Sequence, residues 1–335
     1  MFTDEKLKNM VDNMHPIGFY SQQFGNVDAH TFPRISTGYK QFDIALNGGL
    51  ANELYIMAAE TSTGKSAIAM DIAQNIAASG INVLYFSMEM GKNEFIARGI
   101  SNISYEHNIA SNGHEKEFTT GNILYYDYDY SVNSFLKIPY QQYSSYTDEY
   151  TQRYGEHLYI IEAGLDGLTA KDIANMAYRF KASIGLPVVV FVDYLQILRD
   201  DSNDRKTKMD NIVTTLKSLA SQIGMPVFAL SSIGRQNYNG KINTASFKES
   251  GDTEYTGGVL IGWNWLGVTD TNDKSTINIE KRRCNRMGYR RMQLEILKFR
   301  NSKRDHSVNF KYFPAYNHFE EQIGSWDDLP ETDAY

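Results

Sequence analysis

Short apolar runs alternate with longer helix-like segments through the first two thirds of the chain. The runs are rich in β-branched residues and give way to polar positions, a pattern typical of strands buried on both faces. Predicted strands cover residues 54–59, 83–88, 158–162, 188–193 and 227–231, and predicted helices cover residues 66–79, 92–101, 169–182 and 208–223. Alternation at this spacing indicates βαβ units, so we predict an α/β fold with a mostly parallel central sheet flanked by helices.

The last third of the chain has a different pattern, because its strand-like runs follow one another without helix-length gaps. We place these strands near residues 259–268, 276–281, 292–299 and 308–313. Connections of this length join antiparallel strands, which predicts an antiparallel extension at the C-terminal side of the sheet. The predicted organisation is an N-terminal arm (1–28), one α/β domain (29–322) and an acidic tail (323–335).

Residues 104–157 interrupt the alternation and form a tyrosine-rich insertion within that domain. Eight tyrosines fall between Tyr125 and Tyr150, among Asp, Ser and Gln residues. One interpretation, which we favour, is a helical subregion with tyrosines on a packing surface. The other is a surface for a partner or for nucleic-acid bases, because tyrosine rings stack on bases without sequence preference.

Composition narrows the class of protein. A length of 335 residues with 42% hydrophobic content suits one large α/β domain with appendages, or at most two domains. The single cysteine, Cys284, excludes a disulfide scaffold and a cysteine-rich zinc site. No apolar run approaches the ~20 residues of a membrane helix, and the first residues lack a signal-peptide core. We therefore expect a cytoplasmic protein without a membrane partner.

Charge is distributed unevenly along the chain. The total is −7, which does not by itself indicate nucleic-acid binding. One segment nevertheless contains ten basic residues and a single acidic one, Glu295, for a local charge of +9. The basic residues are Lys281, Arg282, Arg283, Arg286, Arg290, Arg291, Lys298, Arg300, Lys303 and Arg304. Such a segment either faces a polyanion or forms a solvated hairpin, and both interpretations stay open.

The most specific motif is an A-x-x-x-x-G-K-S sequence between the first predicted strand and helix. Its residues are Ala59, Glu60, Thr61, Ser62, Thr63, Gly64, Lys65 and Ser66. Backbone N–H groups of such a loop, with a helix N-terminus behind them, form an anion site. Lys65 would reach the terminal phosphates and Ser66 would hold Mg²⁺, so the expected ligands are ATP and Mg²⁺. The alternative is a glycine-containing turn before a helix.

Two acidic residues end later predicted strands. Asp193 follows Val188–Val192, at the position where open α/β sheets bind ligands, and it can help to hold Mg²⁺. Glu89 follows the strand near residues 83–88 and can polarise an attacking water. Either acid alone could be a helix cap or a solvated strand end, but their order after a phosphate loop favours function.

Several segments together resemble the C-terminal ATPase domain of the DnaB family of replicative hexameric helicases. Ser36–Leu50 is similar to the family's segment before the first strand, and Glu60–Ser66 is similar to its nucleotide loop. The other matching motifs are F-S-M-E-M at 86–90, D-Y-L-Q at 193–196, K-E-S-G at 248–251 and K-F-R-N at 298–301. The resemblance covers about residues 34–320 and implies a RecA-like P-loop NTPase fold.

The resemblance also implies roles for individual residues. Glu89 would be the catalytic base, and Lys298 and Arg300 would reach into the ATP site of a neighbouring subunit. Residues near the nucleotide would include Asp193, Gln196 and Ser232. The implied residues on loops that bind single-stranded DNA are Arg235, Lys241, Lys248, Glu249 and Gly251. The implied partners are single-stranded DNA, further copies of the chain in a hexameric ring or helical filament, and replication or mobile-element proteins.

The K-F-R-N motif also has a direct physical interpretation. Lys298 and Arg300 are two residues apart on a strand-like run, so both side chains point to one face. We expect this strand at the sheet edge, away from its own phosphate loop, where both cations can act in trans. The alternative is a pair of solvated strand cations.

Two departures from the family pattern bear on function. Only 28 residues stand where the family has an N-terminal helical domain, and Ser232 replaces the Gln that senses the γ-phosphate. Gln236 or a water would have to substitute for that longer side chain. The leading hypothesis is an ATP-dependent DNA helicase or translocase on single-stranded DNA. The alternative is an ATP-switched assembly or recombination factor with a RecA-like core and little unwinding activity.

Overall fold

The computed structural model describes residues 34–125, 140–163, 167–185, 187–234, 240–250, 258–266, 282–284, 286–299 and 306–323. The helices α1–α7 cover Lys40–Ala45, Lys65–Ala78, Lys92–Ala110, Thr120–Leu124, Tyr140–Tyr154, Ala170–Ile184 and Arg205–Ile223. The strands β1–β9 cover Leu54–Ala59, Asn82–Ser87, Leu158–Glu162, Val188–Asp193, Val227–Ser232, Val259–Trp265, Arg290–Phe299, Ser307–Phe313 and His318–Gln322. Among the described residues, two 3₁₀ helices cover Leu195–Ile197 and Thr244–Ser250.

Within the described residues, one nine-stranded sheet contains all the named strands, in the order β3-β2-β4-β5-β1-β6-β7-β8-β9. Neighbouring strands from β3 to β6 are parallel, whereas β6 to β9 pair antiparallel. The predicted α/β class, with antiparallel strands at the C-terminal side, is therefore confirmed. Strand β9 was not predicted, and the strand predicted at 276–281 lies outside the described residues.

The parallel strands inside the sheet are buried on both faces, as their continuous apolar sequences predict, whereas the edge strand β3 is partly exposed. In β1, Tyr55 and Met57 belong to the core cluster that packs against α2, whereas Leu54 and Ile56 belong to the cluster beneath α6 and α7. Alternation along a strand divides its side chains between the two faces, so one strand supplies both cores. The phosphate-loop strand is thereby fixed at the centre of the molecule.

Helices α3 and α7 extend beyond their predicted bounds, and a capping residue sets the start of α7. Helix α7 begins at Arg205, earlier than predicted, because the Asp204 side chain caps it by accepting from the backbone N–H of Thr207. Helix α3 continues to Ala110, well beyond the predicted end. None of the helices in the described part of the chain is long and apolar enough to cross a lipid bilayer.

The tyrosine-rich insertion contains helix α5, which packs against α3. Tyr146, Tyr150 and Tyr154 recur every four residues, so they share one helix face, and all three are buried in a small separate core. Gly99 of α3 is needed at this contact, because a Cβ there would lie 2.2 Å from the Tyr150 ring. The packing interpretation is confirmed for Tyr146 and Tyr150. Tyr126, Tyr128 and Tyr130 lie outside the described residues.

Candidate nucleotide site

The candidate site lies where the carboxyl ends of four parallel strands meet. Register pairs Ala59 at the end of β1 with Ser232 at the end of β5, and Ser87 at the end of β2 with Asp193 at the end of β4. The segments that follow these strands therefore lie at the same edge of the sheet. Ligands of open α/β sheets bind at this edge, and the predicted phosphate loop leaves the sheet here.

The loop between β1 and α2 adopts a backbone conformation that requires glycine at one position. Gly64 has φ +96°, and a Cβ there would lie 2.5 Å from the Tyr312 ring. The Thr63 hydroxyl donates to the Glu60 carbonyl at 2.7 Å, which closes the loop on itself. Ala59 and Thr63 are buried, whereas Thr61 and Ser62 are exposed. The predicted strand–loop–helix context is confirmed.

Lys65 is the first residue of α2 and is buried, with its ammonium group facing the strand ends. Its Nζ donates to the Ser232 hydroxyl at 3.0 Å and lies 4.6 Å from the centre of the Tyr194 ring. Burial lowers the pKa of Lys65, while the negative charges of Asp193 and Glu89 act to raise it. These two carboxylates therefore stabilise the charged form in which Lys65 can bind phosphate.

Asp193 is buried at the end of β4, and one of its oxygens accepts a hydrogen bond from the Tyr85 hydroxyl at 3.1 Å. Its other oxygen, Oδ1, is buried and accepts no hydrogen bond from any residue that the structure describes. Burial raises the pKa of Asp193, opposed by the charge of Lys65 and by the Ser66 hydroxyl. A hydroxyl and a carboxylate are hard oxygen donors, so Ser66 and Asp193 fit Mg²⁺.

Glu89 lies in the turn after β2 and is exposed to solvent. The Ser87 hydroxyl donates to the Met90 carbonyl at 2.5 Å, and the Met88 N–H donates to the Asp193 carbonyl at 2.9 Å. These two bonds fix the turn against the end of β4. Glu89 therefore reaches the same site as Lys65 from a short and well-anchored segment.

The site encloses a cavity of about 630 Å³, open to solvent on one side. The predicted residues that line it are Glu60, Thr61, Ser62, Gly64, Lys65, Ser66, Glu89, Asp193 and Ser232. The further lining residues, which the sequence analysis did not single out for this site, are Ala67, Met90, Glu94, Arg98, Tyr194, Arg290 and Tyr312. A volume of this size suits a nucleotide-sized ligand.

Gln196 does not line the cavity, contrary to its predicted place at the nucleotide. Its side-chain amide donates to the Ser231 hydroxyl at 2.8 Å and to the Ser232 carbonyl at 3.0 Å, and it accepts from the Ser232 N–H at 3.2 Å. Gln196 thus supports Ser232 from behind, and Ser232 contacts Lys65. Gln236, the suggested substitute for the missing sensor, lies outside the described residues.

The antiparallel strands supply a second wall that holds the phosphate loop. The Trp263 indole N–H donates to the Thr63 carbonyl at 3.1 Å, and the Arg290 guanidinium donates to the Ser62 carbonyl at 2.7 Å. Arg290 lies between two aromatic rings, 5.4 Å from Trp265 and 5.6 Å from Tyr312. Arg290 belongs to the basic segment considered for a polyanion surface, and its position against the chain's own loop corrects that interpretation for this residue.

Strand β7 carries Lys298 to the opposite end of the sheet from the phosphate loop. Lys298 pairs with Leu260 near the start of β6, whereas the loop follows the far end of β1, where Ala59 pairs with Trp263 of β6. The expected position at a sheet edge is wrong, because β7 lies between β6 and β8. The expected separation from the chain's own loop is correct, at about 13 Å along the strands. Arg300 lies outside the described residues.

The residues predicted to bind DNA are only partly described. Lys241 forms an ion pair with Glu295 at 2.7 Å. Glu295, the single acidic residue of the basic segment, therefore binds a lysine from outside that segment. The backbone of Lys248 and Glu249 belongs to the 3₁₀ helix Thr244–Ser250. Arg235 and Gly251 lie outside the described residues, and their role stays a prediction.

A buried polar network anchors α2 behind the loop. Asp71 of α2 accepts hydrogen bonds from the Tyr39 hydroxyl at 2.5 Å, from Asn75 at 3.3 Å and from Asn102 at 3.4 Å. Asn102 in turn contacts His318 of β9 at 2.8 Å. Burial raises the pKa of Asp71 to about 7, although the Tyr39 and Asn75 hydrogen bonds act to lower it. The network ties the parallel and antiparallel parts of the molecule together.

Comparison with known proteins agrees with this geometry. The family model of the DnaB-like helicase C-terminal domain matches residues 34–321. The chain belongs to this family. The replicative DNA helicase DnaC of Bacillus subtilis is 27% identical over 251 residues, covering 73% of this chain and 49% of that protein. The replicative DNA helicase DnaB of Haemophilus influenzae is 28% identical over 226 residues, covering 66% and 44%.

Solved structures of the family show the same RecA-like fold. An ATPase domain of known structure superposes with a TM-score of 0.67 at 19% identity, covering 92% of this chain and 97% of that one. A DnaB-like replicative helicase, solved in a study of its interactions with primase, gives a TM-score of 0.68, covering 94% and 70%. The chain spans about half the length of the curated family relatives it matches.

Proposed function

We propose that this protein is an ATP-hydrolysing helicase or translocase of DnaB type that acts on single-stranded DNA as a ring or filament. The observation that carries the proposal is the convergence of Lys65, Asp193 and Glu89 on one cavity at the carboxyl edge of the sheet. These residues come from three different strand ends. Membership of the DnaB-like family supports the same reading.

The phosphate side of the cavity has the groups that nucleotide binding requires. Lys65 would neutralise charge on the terminal phosphates, and the first N–H groups of α2 would donate to them. The hydroxyl of Ser66 and the carboxylate of Asp193 would hold Mg²⁺. In support, Asp193 Oδ1 is buried and has no hydrogen-bond partner among the described residues. Bound Mg²⁺ would spread the charge that develops on the transferring phosphoryl group.

Glu89 would act as the general base in this proposal. Its exposure gives water access to the carboxylate, and its turn is fixed by the bonds of Ser87 and Met88. A carboxylate in this position would orient the attacking water and accept its proton. The Lys65–Ser232 contact, supported by Gln196, would hold the lysine in place before nucleotide binds.

Lys298 and Arg300 would act on a neighbouring protomer. Lys298 lies at the end of the sheet remote from its own phosphate loop, so it is poorly placed to serve that loop. Mixing inactive Arg300→Ala with inactive Glu89→Gln should then restore partial ATPase activity, because some interfaces pair an intact Glu89 with an intact Arg300. A complex with Arg300 against its own chain's nucleotide would refute the trans role.

The loops that carry Arg235, Lys241, Lys248, Glu249 and Gly251 would contact the DNA backbone. Backbone contacts give affinity without sequence readout, and affinity should fall with salt by a log–log slope of about −0.7 per phosphate neutralised. Lys248→Ala should flatten that slope without creating a base preference. Lys171→Ala, on the surface of α6, is the matched control and should leave the slope unchanged.

The deciding experiment compares ATPase rates with and without single-stranded DNA and then measures strand displacement. Stimulation by DNA together with displacement supports the proposal. ATP hydrolysis without displacement, and without oligonucleotide binding at low salt, would instead support an ATP-switched assembly or recombination factor. Electron microscopy with ATP analogue and oligonucleotide would test the ring or filament.

A further inference from the structure

Besides Lys65 and Arg290, a third cation of the chain reaches the nucleotide cavity, from helix α3. Arg98 lines the same cavity as Glu89 and Asp193, and its side chain is 26% exposed. Its positive charge acts to lower the pKa of Asp193 and of Tyr312, two other residues of the cavity wall. Arg98 is therefore electrostatically part of the site, although none of the sequence motifs contains it.

The guanidinium of Arg98 is occupied by a neighbouring carboxylate. Its Nη2 and Nε donate to Glu94 Oε1 at 2.6 and 3.2 Å. Glu94 also lines the cavity, one helical turn nearer to Glu89, and its side chain is 41% exposed. From the other side, Arg98 Nη1 donates to the buried Asn317 amide oxygen at 3.4 Å, which holds the guanidinium plane at the cavity wall.

A phosphate group can readily replace the Glu94 carboxylate as the partner of Arg98. Exposed ion pairs between residues four apart on a helix contribute little stability, because water screens the charges. Phosphate oxygens bind a guanidinium in a bidentate manner and carry more charge than one carboxylate. A terminal phosphate entering the cavity would thus compete with Glu94 for Arg98 and would also repel the Glu94 carboxylate.

We propose that Arg98 distinguishes a nucleoside triphosphate from a diphosphate by exchanging Glu94 for the terminal phosphate. Arg98 belongs to the helix that directly follows the Glu89 turn and lines the same cavity as Glu89, which points to the phosphate at the reacting end of the nucleotide. The inference rests on the proposed nucleotide site and adds to it a specificity-determining residue and its built-in competitor. Glu94 holds Arg98 ready when no triphosphate is bound.

Calorimetric titration with ADP and with a non-hydrolysable ATP analogue, both with Mg²⁺, tests this exchange. Arg98→Ala should weaken analogue binding by about tenfold while leaving ADP affinity nearly unchanged, because one charge-assisted contact to the terminal phosphate is lost. Glu94→Gln should have the opposite effect and strengthen analogue binding by about twofold or more, because it removes the carboxylate that competes for Arg98.

Lys92→Ala is the control on the same helix. Lys92 is 54% exposed and pairs with Glu162 rather than with a cavity residue. Its loss should change ADP and analogue affinities equally, and only slightly. Thermal unfolding of each variant separates a folding defect from a binding effect.

The outcomes separate this inference from the proposed function. If the unmodified protein binds neither nucleotide, the proposed site itself fails. If it binds both, and Arg98→Ala weakens them equally or Glu94→Gln weakens analogue binding, Arg98 is a structural tether and the exchange is overturned. Opposite shifts for the two variants, confined to the triphosphate analogue, support it.

Discussion

The parallel and antiparallel halves of the sheet contribute to the nucleotide cavity in different ways. In the parallel half, functional side chains follow the carboxyl ends of β1, β2 and β4, as Lys65, Glu89 and Asp193 do. In the antiparallel half, successive strands run in opposite directions. The beginning of β7 therefore reaches the same edge, and Arg290 touches the loop while Lys298 is carried away from it.

This difference shows when the order of strands along the chain is enough to predict which residues form a site. Parallel strands with helical crossovers place all their carboxyl ends at one edge, so a motif after each strand is enough to bring the residues together. An antiparallel strand exposes either end at that edge, depending on its direction and register. The contribution of Arg290 therefore depends on pairing that no local motif encodes.

The largest expected effect is on the parallel side. Lys65→Ala should remove measurable nucleotide binding, a loss of more than about 100-fold, because a buried phosphate site loses its main cation. Calorimetry with ADP and Mg²⁺ measures it, with Lys171→Ala as the control. Unchanged affinity would contradict the phosphate-loop assignment.

Glu89→Gln tests the general-base role on the parallel side without changing the size of the side chain. The amide keeps the size and hydrogen bonding of the carboxylate but cannot accept the proton. We expect nucleotide to bind normally and turnover to fall by about 100-fold, the range for loss of a general base. A steady-state ATPase assay measures this, and Glu156→Gln on the surface is the control. Near-normal turnover would assign the base to another residue.

Asp71→Asn tests the network that joins the two halves. The folded pKa of Asp71, about 7, lies above the ordinary value of 3.8, so the folded state holds a proton that the unfolded state loses. Protonated Asp71 therefore contributes to the free energy of unfolding. This contribution is fully present below about pH 4 and is lost as the pH rises through about 7. Relative to Asp71→Asn, the unfolding free energy of the unmodified protein should fall by about 2 kcal/mol between about pH 5 and pH 7.

Urea denaturation across this pH range measures the difference between the two proteins. The comparison isolates Asp71, because His318, whose pKa is lowered by burial, titrates in both. A difference that does not vary with pH would show that Asp71 stays ionised in the folded chain, and would weaken the assigned link between the halves.

The smallest effect is expected on the antiparallel side. Arg290→Met keeps an apolar chain between Trp265 and Tyr312 but loses the hydrogen bond to the Ser62 carbonyl. Nucleotide affinity should weaken by about tenfold, the cost of one charge-assisted hydrogen bond. Arg291→Met is the matched control, because neighbouring strand residues point to opposite faces. Equal effects of the two substitutions would mean that nucleotide affinity depends on the positive charge of this strand and not on the hydrogen bond from Arg290 to Ser62.

Several features were predictable from the sequence for specific reasons. Asp193 and Glu89 were identified because each ends an apolar run in a set order after the phosphate loop. Helix α5 was expected only as part of a helical subregion without bounds, although Tyr146, Tyr150 and Tyr154 recur every four residues, because these three lie in a segment crowded with other tyrosines. The positions of Trp263 and Tyr312 at the site could not be predicted from the sequence, because they depend on contacts with the phosphate loop, which is far away in the chain.

By itself, the sequence determined the α/β class, the parallel core and the residues at the carboxyl ends of its strands. Hydrophobic periodicity, β-branched runs and a glycine-lysine-serine loop act within a few residues of each other, so they can be read locally. The tertiary structure decided which basic residue touches the loop, that Gln196 lies behind Ser232 and that Arg98 enters the cavity. These contacts join distant segments, and the register and packing that select them exist only once the whole sheet has formed.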